Sequence, residues 1–170
     1  TGLTDLKGSA HMSAMTNILV KDDASTPVEF TLKPITDNPN PQWRSMIANV
    51  PLAGQIRFSS DVVQVKSGDW KISAKLEVPV METLGASGTS AGYVAPPKVA
   101  YVDTIIMTMF ANARSTSADR ANLLKMMTGI IQGASSTTAT GVLVNTSAGD
   151  AWKNSVLPAP ALFIGLEIPS

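Results

Sequence analysis

The chain has 170 residues, 13 basic against 13 acidic side chains, 44% hydrophobic residues and no cysteine. That length and apolar content fit one domain with a real core, while the missing cysteine excludes disulfides, thiolate metal sites and a cysteine nucleophile. Balanced charge excludes a protein that grips nucleic acid by bulk positive charge, so any such contact must come from a local face.

No apolar run approaches the roughly 20 residues of a membrane-spanning helix, and the first residues lack the apolar stretch of a secretory signal. A soluble chain without a membrane partner is expected. Thr1 to Ala14 reads as a polar N-terminal extension, native or left by cloning, and its His11, the one histidine, reads as a solvated side chain. From Asn17 to Asp103 turn residues separate short alternating runs, the pattern of an antiparallel sheet. Asn17 to Lys21 and Val28 to Lys33 flank a turn-rich segment and predict a hairpin. A strand around Trp43 follows the breaker cluster Asp37 to Pro41, and Gln55 to Ser60 and Trp70 to Val80 follow as further strands. In the last of these, Trp70, Ile72, Ala74, Leu76 and Val78 alternate with Lys71, Ser73, Lys75 and Glu77, which sends one set to a core and the other to the opposite face.

Met81 to Lys98 is rich in Gly, Ser and Ala and contains the pair Pro96-Pro97, which predicts a long loop of the kind that is either functional or disordered. Val99 to Phe110 is apolar on both faces, as suits a strand covered on both sides or one at a subunit boundary. Thr116 and Asp119 have the spacing of a reciprocal helix cap. Leu123, Leu124, Met127, Ile130 and Ile131 then share one helical stripe. A second helix is expected from about Thr138 to Asn145, and Leu162 to Ile168 reads as one more strand in the tail. The strong helix, roughly 24 Å long, cannot cover one face of five or more strands spaced about 4.8 Å apart. The helix of a second copy can cover the rest, which suggests a homodimer with that stripe in its core; the second helix or the tail is the other cover.

Catalytic constellations are absent. There is no phosphate-binding Gly-Lys-Ser/Thr loop, no dinucleotide fingerprint, no zinc-binding His pair and no histidine to serve a Ser nucleophile, so no enzyme, cofactor or metal is expected. The residues that can bind something are Gln55, Arg57 and Ser59 on one strand and Lys71, Ser73, Lys75 and Glu77 on the next. Cations suit phosphates, and hydroxyls and amides suit sugars and base edges, a mixture fitted to single-stranded or looped RNA. An ordinary wet sheet face is the other reading.

The ordered series Met15 to Asp22, Gln42-Trp43, Ile56 to Ser59, Lys71 to Pro79, Phe110-Ala111-Asn112 and Asp119 to Met127 resembles the coat proteins of the small icosahedral single-stranded RNA bacteriophages, over roughly Met15 to Trp152. The resemblance implies an α+β fold: an N-terminal hairpin, a five-stranded antiparallel sheet and two C-terminal helices, in an interlocked homodimer. It also implies a capsid protein of the virion, assembled in the bacterial host cytoplasm, that packages genomic RNA and binds a stem-loop as a translational repressor. By position it puts Arg57, Ser59, Lys71, Ser73, Lys75 and Glu77 on the RNA face, with Gln55 at the margin. Ala100 falls where the family has a base-stacking tyrosine, so Tyr101 takes that role only if its strand bulges. The loop Met81 to Lys98 matches the segment that adapts around the shell's symmetry axes. Residues 1–14 and 153–170 are extensions beyond the coat domain of residues 15–152. A cellular sheet-based binding module without shell assembly, and an enzyme whose residues converge only in the fold, are the rival readings.

Overall fold

The computed structural model describes residues 15–24, 26–82 and 96–132, together with Ala159, Leu162, Phe163 and Leu166. Six strands form one sheet in the order β1-β2-β3-β4-β5-β6, each beside its neighbours in sequence. They are β1 (Ile18–Lys21), β2 (Glu29–Thr36), β3 (Gln42–Ser45), β4 (Arg57–Gln64), β5 (Trp70–Met81) and β6 (Val99–Ala111), and one helix, α1 (Ser117–Gln132), follows.

The expected hairpin forms as β1 and β2, neighbours in the sheet with the Asp22 N–H donating to the Val28 carbonyl at 3.1 Å across their turn, and it belongs to the same sheet as the other strands. The reason lies in β2, which continues past Lys33 and pairs antiparallel with β3 from Leu32↔Ser45 to Thr36↔Gln42, with an irregularity between Pro34 and Thr36. Four-residue β1 is too short to pair along all of β2, so Pro34 sits where its missing N–H costs no ladder bond on that side. The expected second helix lies outside the described residues, as do residues 83–95 of the long loop. The expected tail strand is not what the described residues show: Leu162 and Phe163 are helical, and Leu166 has φ 57°.

Contacts divide the chain into two compact units, and five of the strands contribute residues to both. In the first unit (Thr1–Ile18, Thr31–Ser60, Lys75–Ile105), Leu32 is fully buried opposite Ser45. Trp43 and Phe58, also register partners, pack with ring centroids 5.5 Å apart and their planes tilted by 50°, and the Trp43 indole N–H donates to the Thr16 carbonyl at 2.9 Å. At the foot of the long loop the Glu82 N–H donates to the Lys98 carbonyl at 2.8 Å.

In the second unit (Leu19–Phe30, Asp61–Ala74, Ile106–Ser170), Gly68, with φ 88°, closes the β4–β5 turn, a backbone that a side chain would strain. Asp69 Oδ1 accepts from Asn112 Nδ2 at 3.0 Å and from the Ala113 N–H at 3.1 Å, which ties this turn to the corner where β6 gives way to α1. The helix starts with the reciprocal cap expected from its spacing. Thr116 Oγ1 accepts from the Asp119 N–H at 3.2 Å, and Asp119 Oδ2 accepts from the Thr116 N–H at 2.9 Å and its hydroxyl at 2.8 Å. The Thr116 amide, then its hydroxyl, and then the nearby Arg120 charge lower the Asp119 pKa below its ordinary value.

Fully buried apolar side chains among the described residues are Leu32 and Ala111 alone. A chain so rich in hydrophobic residues leaves most of them partly open to water as a single copy.

Candidate nucleic-acid interface

Register decides which side chains share a face. Arg44↔Arg57 and Gln42↔Ser59 are partners across β3 and β4, so these four project to the side opposite Trp43 and Phe58. Lys75 and Glu77 of β5 meet them: Glu77 Oε2 lies 3.6 Å from Arg57 Nε, and Glu77 Oε1 lies 3.1 Å from Lys75 Nζ. Gln42, Arg44, Arg57, Ser59, Lys75 and Glu77 line a shallow cleft of about 280 Å³. Three cations against one carboxylate leave it positive. One carboxylate touching both Arg57 and Lys75 fixes these two side chains while leaving their remaining donors free for an anion.

In the second unit, Lys71 is exposed and Ser73 Oγ lies 3.3 Å from Thr108 Oγ1 of β6. Ser73 and Thr108 therefore share a face, and counting by twos along β6 from Thr108 reaches Ala100.

One expected binding residue, Gln55, is corrected by this geometry. Tyr101, 58% exposed, has by count the parity opposite to Ser73's partner Thr108, so its place on that face still requires a bulge in β6. Gln55 is only 5% exposed. Its Oε1 accepts from Ser45 Oγ and the Ile47 N–H, both at 2.8 Å, and its Nε2 donates to the carbonyls of Ile47 (3.0 Å) and Val50 (2.9 Å). With both donors and both lone pairs used, Gln55 holds the turn after β3 and has nothing left for a ligand. Sequence reasoning missed Gln42 and Arg44, because a four-residue strand shows its alternation only once its partner's register is known.

The helical stripe projects from α1 largely uncovered. Leu123, Leu124, Met127 and Ile130 are 40–60% exposed, and Ile131 is half-buried. Leu123, Leu124 and Met127 form one wall of an apolar cleft of about 350 Å³ whose other wall is Ile72, Ala74, Met107, Met109 and Phe110.

A sheet with a charged face, and an apolar helix cleft left open, define a structural subunit built around recognition surfaces. The family model for levivirus coat protein matches residues 13–148, and the chain belongs to that family. It is a capsid protein of levivirus type. Among its relatives, the subunit of the virus-like particle of bacteriophage EMS014 is 47% identical, with a TM-score of 0.79 over 93% of this chain and all of that one. The capsid protein of Pseudomonas phage PRR1 is 29% identical over 113 residues, 65% of this chain and 80% of the relative. The virus-like particle subunit of bacteriophage ESE058, 20% identical, matches in fold with a TM-score of 0.67 over 91% of this chain and 98% of that one.

Proposed function

We propose that this coat protein forms an interlocked homodimer, that the dimers close into an icosahedral shell, and that the shell packages single-stranded RNA against the charged sheet face. The observation that carries the assembly is the exposed apolar stripe of α1 bordering its own open cleft. A monomer has nothing to gain from holding such side chains in water, whereas a second copy supplies a matching stripe by two-fold symmetry. Strand β6 adds a thirteen-residue edge bearing exposed Val102, Ile105, Ile106 and Phe110. A long apolar edge of this kind aggregates unless a partner strand covers it.

For RNA, the support is the cluster of Arg57, Lys75 and Glu77, with Ser59 on the same face and Lys71 and Ser73 earlier along β5. Cations hold phosphates, and the hydroxyls and the carboxylate make directional contacts to sugars and exposed bases. Stem-loop binding with translational repression follows as a property of the same face. The loop between Met81 and Lys98 sets shell geometry, its foot pinned by the Glu82–Lys98 backbone bond. The protein then resides in the virion after assembly in the bacterial cytoplasm, and residues 15–152 are the coat domain between two extensions.

Expression of the full chain in bacteria tests this directly. Closed particles by electron microscopy, containing nuclease-resistant RNA, are expected. A small monomer without nucleic acid under all gentle buffers overturns the reading.

A further inference from the structure

Lys33, Arg44 and Arg57 are register partners across β2, β3 and β4, so three cations stand side by side on one face. Like charges directly opposite on neighbouring strands destabilise a sheet. Glu77 offsets Arg57 and Lys75, but neither Arg44 nor Lys33 has an ion pair among the described residues. The Nε of Arg44 is buried without a hydrogen-bond partner, and that of Arg57, also buried, has the Glu77 carboxylate at 3.6 Å. Both guanidinium groups border the same cleft. Folding alone gives no reason for this row, and an anion laid across it relieves the repulsion among its cations.

We propose that Lys33, Arg44 and Arg57 form a phosphate track, a sequence-independent anchor for the RNA backbone that runs across the strands. This rests on the reading that this sheet face meets RNA, and it extends that site to β2 and β3, beyond the β4 and β5 residues that the sequence pattern singles out. Strands about 4.8 Å apart place the three cations along roughly 10 Å, the reach of a few nucleotides. Arg44 is the centre of the track. Its planar fork suits two phosphate oxygens at once, which a lysine in its place cannot match. The track supplies packaging affinity for any RNA, and Ser59 and Ser73 act separately on sequence.

The test uses particles of wild type, Arg44→Gln, Lys33→Gln and, as comparator, Lys75→Gln, each disassembled and freed of RNA. Filter binding to two single-stranded RNAs of unrelated sequence is measured from about 50 to about 200 mM salt. Each lost phosphate contact on a single strand flattens the log-log salt slope by about 0.7, so the wild-type advantage shrinks about 2.5-fold across that range. Arg44→Gln and Lys33→Gln are expected to do so equally for both RNAs. Arg44→Gln is also expected to raise the thermal midpoint of the RNA-free protein, because it relieves repulsion, whereas a purely structural arginine would lower it. Unchanged slopes for both variants while Lys75→Gln flattens would overturn the track and leave the RNA face standing. Unchanged slopes for all three would remove both. A slope change confined to one RNA would refute sequence independence. Unchanged RNA slopes with defective shells would assign the row instead to an acidic surface of a neighbouring subunit.

Discussion

Leu124→Asp probes the interlocked dimer most directly. Leu124 is 46% exposed in the single chain, and the cleft it lines contains no cation, only the side chains of Ile72, Ala74, Met107, Thr108, Met109, Phe110, Leu123 and Met127 around it. Completing the burial of a half-exposed leucine is worth about 1 kcal/mol, half the value for a fully buried side chain. Leu123, Met127 and Ile130 are similarly exposed, so the stripe offers about 4 kcal/mol per chain and about 8 kcal/mol to a symmetric pair. A carboxylate at residue 124 forfeits one such contribution and adds at least ~3 kcal/mol for a buried charge without a partner. Together these cost about 4 kcal/mol per chain, which symmetry doubles to about 8 kcal/mol, and the dimer dissociation constant rises by about six orders of magnitude. Sedimentation velocity reads the assembly state, and circular dichroism reads the fold. Asn122→Asp, the same added charge about 200° around the helix, is expected to leave dimers intact. Leu124→Asp dimers persisting at wild-type concentration would refute the placement of the stripe at the interface. A folded, cooperatively unfolding Leu124→Asp monomer would refute obligate dimerisation.

Three further outcomes are expected. Deleting Gly85 to Gly92 is expected to leave dimers folded while altering or blocking the closed shell, and unaltered particles by microscopy would remove the loop from shell geometry. Thr116→Ala is expected to cost about 1 kcal/mol in a denaturant titration by removing the helix cap. Because the folded pKa of Asp119 lies below its ordinary value of 3.8, its contribution is present above that value and is lost as pH falls through the folded pKa. Asp119→Asn is expected to erase that part of the acid dependence, and an identical acid profile would contradict the cap's role. Lys75→Ala is expected to flatten the RNA salt slope by about 0.7, whereas Leu76→Ala, on the other face, is expected to lower the unfolding midpoint and leave the slope alone.

What the sequence made legible was local. The alternation from Lys71 to Val78 sorted two faces of β5 correctly because a strand's period is a property of its own backbone. The Thr116/Asp119 spacing located the start of α1 because a cap closes within one turn. Pairing was not legible. Lys33 ended the expected second strand, yet β2 runs on through Pro34 to Thr36 because β3 supplies a ladder there. Gln55 looked like the first residue of a polar strand face, but its amide is consumed by Ser45, Ile47 and Val50, a turn geometry that no periodicity encodes. Tyr101 stays one residue out of step with Thr108 by count, and only the register of β6 decides which face it takes. The opposition of Lys33, Arg44 and Arg57 is likewise a fact of register, joining residues up to 24 positions apart.

The two surfaces of this chain are each incomplete, and in complementary ways. On α1 and β6, large apolar side chains face water without cover, a deficit that only more apolar surface corrects. On β2 to β4, cations oppose cations across the register, a deficit that an anion corrects. A single ligand cannot repair both, since a polyanion has no affinity for the helix cleft and a second apolar stripe brings no counter-charge. Net charge balance makes the second deficit local, because among the described residues Glu77 alone forms ion pairs with this group of cations. In the proposed assembly the chain's own copy relieves the first deficit and a polyphosphate the second.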